Sequence, residues 1–270
     1  MNGWKRFWGF LAGKYRLLAE KKYTTLAGTL VFFLLMSLVP MLFWGTLLMG
    51  KLHVRAPNAL SLPGMEQVGD LLDYISKEAQ SATSGASVFL LITSLYSATN
   101  LFYQMRKSGE IIYGTPSVGK GIQTRFCAVA LLFLVMALIV LTVLAFAAFS
   151  FFLTRLVGEG WERLMEYLLL AVLAFFLVFF LNLFICPYPA SPRCFLVGSL
   201  LTVAAWAVSI AGFGLYLRIG NMGRLYGALS AVIVFLLWLY VLTVCFVSGV
   251  ILNSEQVEKQ RRTMPRRKRR

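Results

Sequence analysis

Six long apolar stretches alternate with shorter polar gaps along the chain, at about 26–48, 86–105, 126–154, 164–186, 195–217 and 225–253. Each is roughly 20 residues or longer, enough for a helix to cross about 30 Å of hydrocarbon. None shows the period-two alternation of a barrel strand, and a backbone in lipid must satisfy itself internally, so the spans are predicted to be helices. Two further segments show helical periodicity with a single apolar face. In 3–22, Trp4, Phe7, Trp8, Leu11, Tyr15 and Leu18 share that face, while Lys5, Arg6, Lys14 and Arg16 point elsewhere. The pattern suits a helix lying in the headgroup layer, although a soluble helix docked on the spans would share it. In the gap 49–85, Ser61 and Pro63 open a segment whose apolar face is Met65, Val68, Leu71, Leu72, Ile75 and Ala79. Glu66, Asp70 and Asp73 crowd its other side, and both structural cover and a lid stand as readings.

Charge gives the pattern a direction. Of 26 Lys and Arg, 19 fall in 1–25, 104–125, 187–194 and 254–270, and 7 fall in 49–85, 155–163 and 218–224. Bases close to a span resist translocation, so the first set is predicted to face the cytoplasm, with both termini inside. The acids divide as 4 inside and 7 outside, leaving a net +15 on the inner side and none on the outer. The basic balance is thus a topology signal first and a nucleic-acid signal second. The tail carries Arg261, Arg262, Arg266, Arg267, Lys268, Arg269 and Arg270, which repel one another and predict disorder. It has no aromatic platform for specific RNA binding, and its bases suit anionic headgroups. A chain 59% hydrophobic is too apolar for a soluble domain of 270 residues. The first 25 residues are too charged and interrupted for a cleaved signal peptide.

The expected fold is therefore an all-α polytopic membrane protein. It has six transmembrane helices, cytoplasmic N and C termini, and two amphipathic interfacial helices. Residues 1–25 form a cytoplasmic amphipathic helix, 26–253 the membrane domain, and 254–270 a basic cytoplasmic tail.

No Asp, Glu, Lys, Arg or His lies mid-span; Glu166 sits near the outer edge of the fourth, and His53 in an outer gap. This weighs against a proton pump with a central carboxylate and against a metal site. Cys127, Cys186, Cys194 and Cys245 lie in or at the ends of spans without CxxC spacing and read as packing residues. Uncharged groups carry the polarity instead. Thr93, Ser97, Asn100 and Gln104 form one stripe on the second span, flanked by Tyr96 and Tyr103. Unpaired amides in hydrocarbon cost several kcal/mol, so the stripe either bonds neighbouring helices or lines a wet cavity. Pro40 in the first span removes the amide that would bond the carbonyl of Met36, and Ser37 lies beside that break. The fifth span presents Gly198, Thr202, Ala205, Ser209 and Gly212, ending at Tyr216. The sixth begins with Gly223, Gly227 and Ala231. Such faces let helices approach closely, within one chain or between two copies as a homo-oligomer. Spans one, two, five and six are placed at the centre, with three and four against lipid. Pro187, Pro189 and Pro192 make a stiff inner turn that stops a helix.

Ala27, Phe32–Phe33 and Ser37-Leu38-Val39-Pro40 resemble the first span of the YihY/BrkB family of bacterial inner-membrane proteins. Ser97-Ala98-Thr99-Asn100 with Ile112-Tyr113-Gly114 resembles its second span and following loop. Tyr226-Gly227-Ala228-Leu229, Leu237-Trp238-Leu239-Tyr240, Gly249 and Asn253 resemble its last span. The resemblance covers roughly 20–255 and implies six helices in the inner membrane with both ends cytoplasmic. Members were once labelled ribonuclease BN, but these residues carry no nuclease chemistry. Where the family often has an acid two places after the glycine matched by Gly249, this chain has Ile251.

Two functions follow as expectations. One is a transporter or flippase for a lipid or other amphiphile, its pathway along Thr93, Ser97, Asn100, Gln104, Ser37, Pro40, Tyr96 and Tyr103. The alternative is a non-catalytic scaffold for envelope or cytoplasmic partners. A membrane enzyme lacks an acid, base or metal constellation. The expected partners are membrane lipids, their anionic headgroups met by Lys5, Arg6, Lys14, Arg16, Arg261 and Arg262. Gly198, Ser209, Gly212, Gly223, Gly227 and Gly249 are expected at helix contacts. No catalytic residue, metal or cofactor is expected, and no specific nucleic acid.

Overall fold

The computed structural model describes residues 2–51, 86–115, 121–156, 159–188, 190–219 and 228–263. The outer amphipathic segment, Pro189, Gly223, Gly227 and the tail beyond Thr263 lie outside the described residues. The described residues form seven helices and no strand: α1 (Asn2–Glu20), α2 (Tyr23–Lys51), α3 (Ala86–Tyr113), α4 (Gly121–Leu156), α5 (Glu159–Ile185), α6 (Arg193–Ile219) and α7 (Ala228–Thr263). Helix α1 is the amphipathic segment, and α2 to α7 follow the six apolar stretches in order. Four contain segments long and apolar enough to cross a membrane: Thr124–Leu141, Tyr167–Ile185, Arg193–Tyr216 and Ile233–Thr263. Tyr23–Leu38 of α2 is a shorter apolar helix. Over its described residues α3 does not join that group, because Thr93, Ser94, Ser97, Thr99, Asn100 and Gln104 dilute its apolar character. Exposed Leu168, Leu200, Leu201, Val208, Leu215 and Leu237 give α5, α6 and α7 the apolar outer surface that acyl chains require.

The breaks between helices have local causes. Lys22 takes a left-handed φ of 52°, turning the chain between α1 and α2. Gly114, at φ 64°, ends α3. The N–H of Gly114 donates to Ile111 and that of Thr115 to Glu110, the paired bonds of a Schellman cap. Pro187 and Pro192 flank the short connection from α5 to α6.

The chain divides into two compact units. The first comprises Met1–Phe32, Met105–Val118 and Val178–Arg270. In it α6 and α7 pack along each other, and α1 reaches α7. The second comprises Phe33–Gln104 and Gly119–Leu177. Two sequence expectations change here. Helix α4 is no plain lipid-facing rod: Ala128, Leu131, Leu132, Val135, Met136 and Val140 form a buried face along it. A uniformly apolar helix hides such a face, because lipid and core select the same side chains. Helix α7 also runs past Asn253 to Thr263, and Ser254 and Val257 are buried, so the expected tail begins as packed helix.

Candidate functional site

Helix α3 carries the stripe read from the sequence, in the second unit. Thr93 and Tyr96 are exposed; Ser97, Asn100, Tyr103 and Gln104 are half-buried. Buried Ala98, Thr99, Leu101 and Phe102 lie beside the stripe rather than on it. Thr99 returns its hydroxyl to Tyr96 O at 2.9 Å, so the stripe borders the packed face. Trp44 on α2 donates from Nε1 to Ser94 Oγ at 3.2 Å and meets Phe133 edge-on.

Pro40 lies inside α2, which is helical on both sides of it. Its missing N–H leaves the carbonyl of Met36 without its helical donor. Ser97 Oγ on α3 donates to that carbonyl at 3.4 Å. Ser37, fully buried, donates back to Phe33 O and to Leu34 O, a bonding that bends helices. The stripe therefore meets α2 at the place where proline has opened its ladder.

The stripe has a cationic neighbour that the sequence reading did not single out. Arg125, in the first turns of α4, donates from Nη2 to Tyr96 Oη at 2.9 Å and to Asn100 Oδ1 at 3.4 Å. Its guanidinium carbon lies 4.3 Å from the Tyr96 ring centre and 4.1 Å from that of Tyr103. Two ring faces and two oxygens hold a charge for which no carboxylate is supplied among the described residues. Nη1 is buried and has no hydrogen-bond partner there. A cleft of about 450 Å³ opens beside it, lined by Tyr103, Gly121, Ile122, Arg125, Phe126 and Val129. In the sequence Arg125 is one of four bases in a gap expected to face the cytoplasm. Its only signal was its place one residue before an apolar run, on the same membrane side as the end of the Tyr96–Tyr103 stripe.

The first unit holds a second polar cluster, which is closed. Asn182 and Asn253 are both 0% exposed. Asn182 Nδ2 donates to Val178 O at 2.9 Å and to Ser199 Oγ at 3.1 Å. Asn253 Nδ2 donates to Asn182 Oδ1 at 3.0 Å, and Asn253 Oδ1 accepts from the Gly198 N–H at 2.8 Å. Thr202 Oγ1 donates to Gly198 O at 2.8 Å. A Cβ on Gly198 would strike the Asn253 side chain and Gly249 O; one on Gly249 would strike Thr202 Oγ1 and Gly198 O. Here α6 and α7 touch backbone to backbone. The tight contact does not extend along all of α6. Ser209 Oγ lies 3.9 Å from Cys245 Sγ, but Gly212 is exposed and a Cβ there would meet nothing within 4 Å. Among the described residues of this chain, Gly212 makes no close helix approach. The ring of Phe213 stacks on Trp238 nearby, centres 5.2 Å apart, and larger rings fill the space between the helices.

Several bases expected at headgroups have protein partners. Lys14 pairs with Glu255 of α7, Arg16 with Glu20 at 3.2 Å and Arg262 with Glu258 at 2.6 Å. Arg261 lies over the Tyr188 ring, 3.7 Å from its centre. Lys5 and Arg6 are on α1, but their side chains lie outside the described ones. Trp8 and Tyr15 of that helix are exposed, as rings at an interface would be. Arg106 was not singled out either; its Nη1 donates to the carbonyls of Phe184 and Cys186, capping the C-terminal end of α5. Beside it, burial pushes the Tyr113 hydroxyl and the Cys186 thiol above their ordinary ranges.

The comparisons agree with this architecture. The chain is 24% identical over 279 residues to a UPF0761 membrane protein of Kangiella koreensis, covering 96% of this chain and 67% of that relative. No solved structure matches. A family model described as Virulence factor BrkB matches residues 15–270, nearly the whole chain, including the α3 stripe, Arg125 and the Asn182–Asn253 cluster. The chain therefore belongs to the BrkB family.

Proposed function

We propose that this protein is a non-enzymatic transporter or flippase of the bacterial inner membrane that moves a lipid or another amphiphile. The observation that carries the reading is the contrast between the two polar clusters. Asn182 and Asn253 are wholly buried and each amide nitrogen and oxygen has a protein partner, which is the behaviour of structural glue. Thr93 is exposed and Ser97, Asn100 and Gln104 are half-buried, along a helix with no charge within the stripe. A hydroxyl-and-amide track open on one side gives a polar head a path, while apolar chains stay in lipid. Anionic headgroups of the cytoplasmic leaflet are the natural partners, and no catalytic step, metal or cofactor enters the reading.

Full-length protein in liposomes is expected to speed the movement of a labelled anionic lipid between leaflets, and Asn100→Leu to slow it. No acceleration with any lipid class would defeat the proposal. The alternative, a scaffold for envelope or cytoplasmic partners, draws on the closed cluster and on the helical extension of α7 beyond Asn253. It expects truncation after Asn253 to abolish function while Thr93, Ser97 and Asn100 tolerate apolar replacement.

A further inference from the structure

We infer that Arg125 is the headgroup seat for an anionic phospholipid, its phosphate bound by the guanidinium and its acyl chains lying against Ile122 and Phe126. The inference rests on the transport reading for what the seat is used for, and it names the substrate class of that site. Four observations converge. First, the guanidinium is fixed before any ligand arrives, by two ring faces and by the Tyr96 and Asn100 oxygens. Preorganisation of that kind lowers the ordering cost of binding. Second, those acceptors occupy Nη2, while Nη1 is buried and unpartnered among the described residues. A buried charged donor without an acceptor is costly, and a phosphate oxygen is the acceptor that a guanidinium fork matches best. Third, Arg125 is one of the residues lining a cleft of about 450 Å³, too large for a bare ion alone. Fourth, two residues lining that cleft are large, apolar and open, Ile122 at 73% exposed and Phe126 at 72%. A soluble phosphate has no use for such walls; a phosphate carrying acyl chains does. The charge rule places this end of α4 at the cytoplasmic face, where anionic lipid is available.

The test uses purified full-length protein in nanodiscs of zwitterionic lipid and a short-chain fluorescent phosphatidylglycerol as probe. Arg125→Gln is expected to weaken binding by about tenfold or more, the worth of a lost charged hydrogen bond. Arg125→Lys is expected to fall between, since a point charge lacks the fork. Ile122→Ser is expected to weaken the lipid probe without changing inorganic phosphate binding. Should R125Q fail to fold, judged by elution and circular dichroism, R125K and Tyr96→Phe carry the test. Wild-type affinity in R125Q, or in both of those substitutes, overturns the seat. So does equal binding of a zwitterionic phosphatidylcholine probe. Displacement of the probe by inorganic phosphate, equal in wild type and I122S, makes free phosphate the ligand and overturns the lipid assignment. Lost binding in R125Q with no lipid movement by the wild type leaves the seat standing and the transport reading fallen. Lipid movement and binding that are both unaffected in R125Q give the reverse.

Discussion

Asn253 shows what a single residue holds in place. Its amide joins α7 to α5 through Asn182 and to α6 through the Gly198 N–H. An interhelical bond in a membrane averages only about 0.6 kcal/mol. Removing Asn253, however, leaves a buried amide oxygen on Asn182 without that donor, and an orphaned buried group costs about 1–3 kcal/mol. The orphan cost dominates. Asn253→Leu is therefore expected to lower the thermal midpoint by several degrees, since about 1 kcal/mol shifts a protein of this size by roughly 2–4 °C. Asn182→Leu in the same chain is expected to add less than its separate cost, because the two residues share one bond. Additive losses in the melts would mean that the cluster is not one network.

At the scale of elements, the junction of α2 and α3 depends on a defect. Pro40 opens an acceptor on Met36, and Ser97 supplies a hydroxyl to it at 3.4 Å. Pro40→Ala returns an amide to that carbonyl and competes with Ser97. Ser97→Ala is then expected to be destabilising in the native background and nearly neutral beside Pro40→Ala, as read from a double-mutant cycle of melting points. Equal effects in both backgrounds would show the Ser97 bond to be incidental. The freed Met36 carbonyl was legible in the sequence, because proline chemistry is local. The helix order was legible for a similar reason: long apolar runs in a bilayer have one backbone solution. What escaped was lateral placement. Whether Leu132 meets protein or lipid leaves no mark on composition, so the buried face of α4 was invisible. Arg125 escaped because its partners lie on another helix, 25 and 29 positions away. Small-residue spacing reports permission for close approach and not the approach itself: Gly198 and Gly249 meet another helix within this chain, and Gly212 does not.

At the scale of the molecule, charge asymmetry orients every span at once. Single cysteines at Thr263 and at Ser61, each in a background lacking Cys127, Cys186, Cys194 and Cys245, are expected to label oppositely in intact cells with a membrane-impermeant thiol reagent. Position 61 should react from outside, and position 263 only after permeabilisation. Reaction of position 263 from outside, and of position 61 only after permeabilisation, would reverse the inner side and move the Arg125 cleft to the other leaflet. The Lys14–Glu255 pair joins the amphipathic α1 to the C-terminal part of α7, so both ends of the described chain meet on one side.

The bond between Asn182 and Asn253 has a consequence for biogenesis. Asn182 enters the bilayer ahead of the residue that quenches its Oδ1, since Asn253 follows it by 71 positions. A nascent chain halted before that point carries unquenched polarity in fat, a mark by which membrane proteases can tell an unfinished molecule from a complete one.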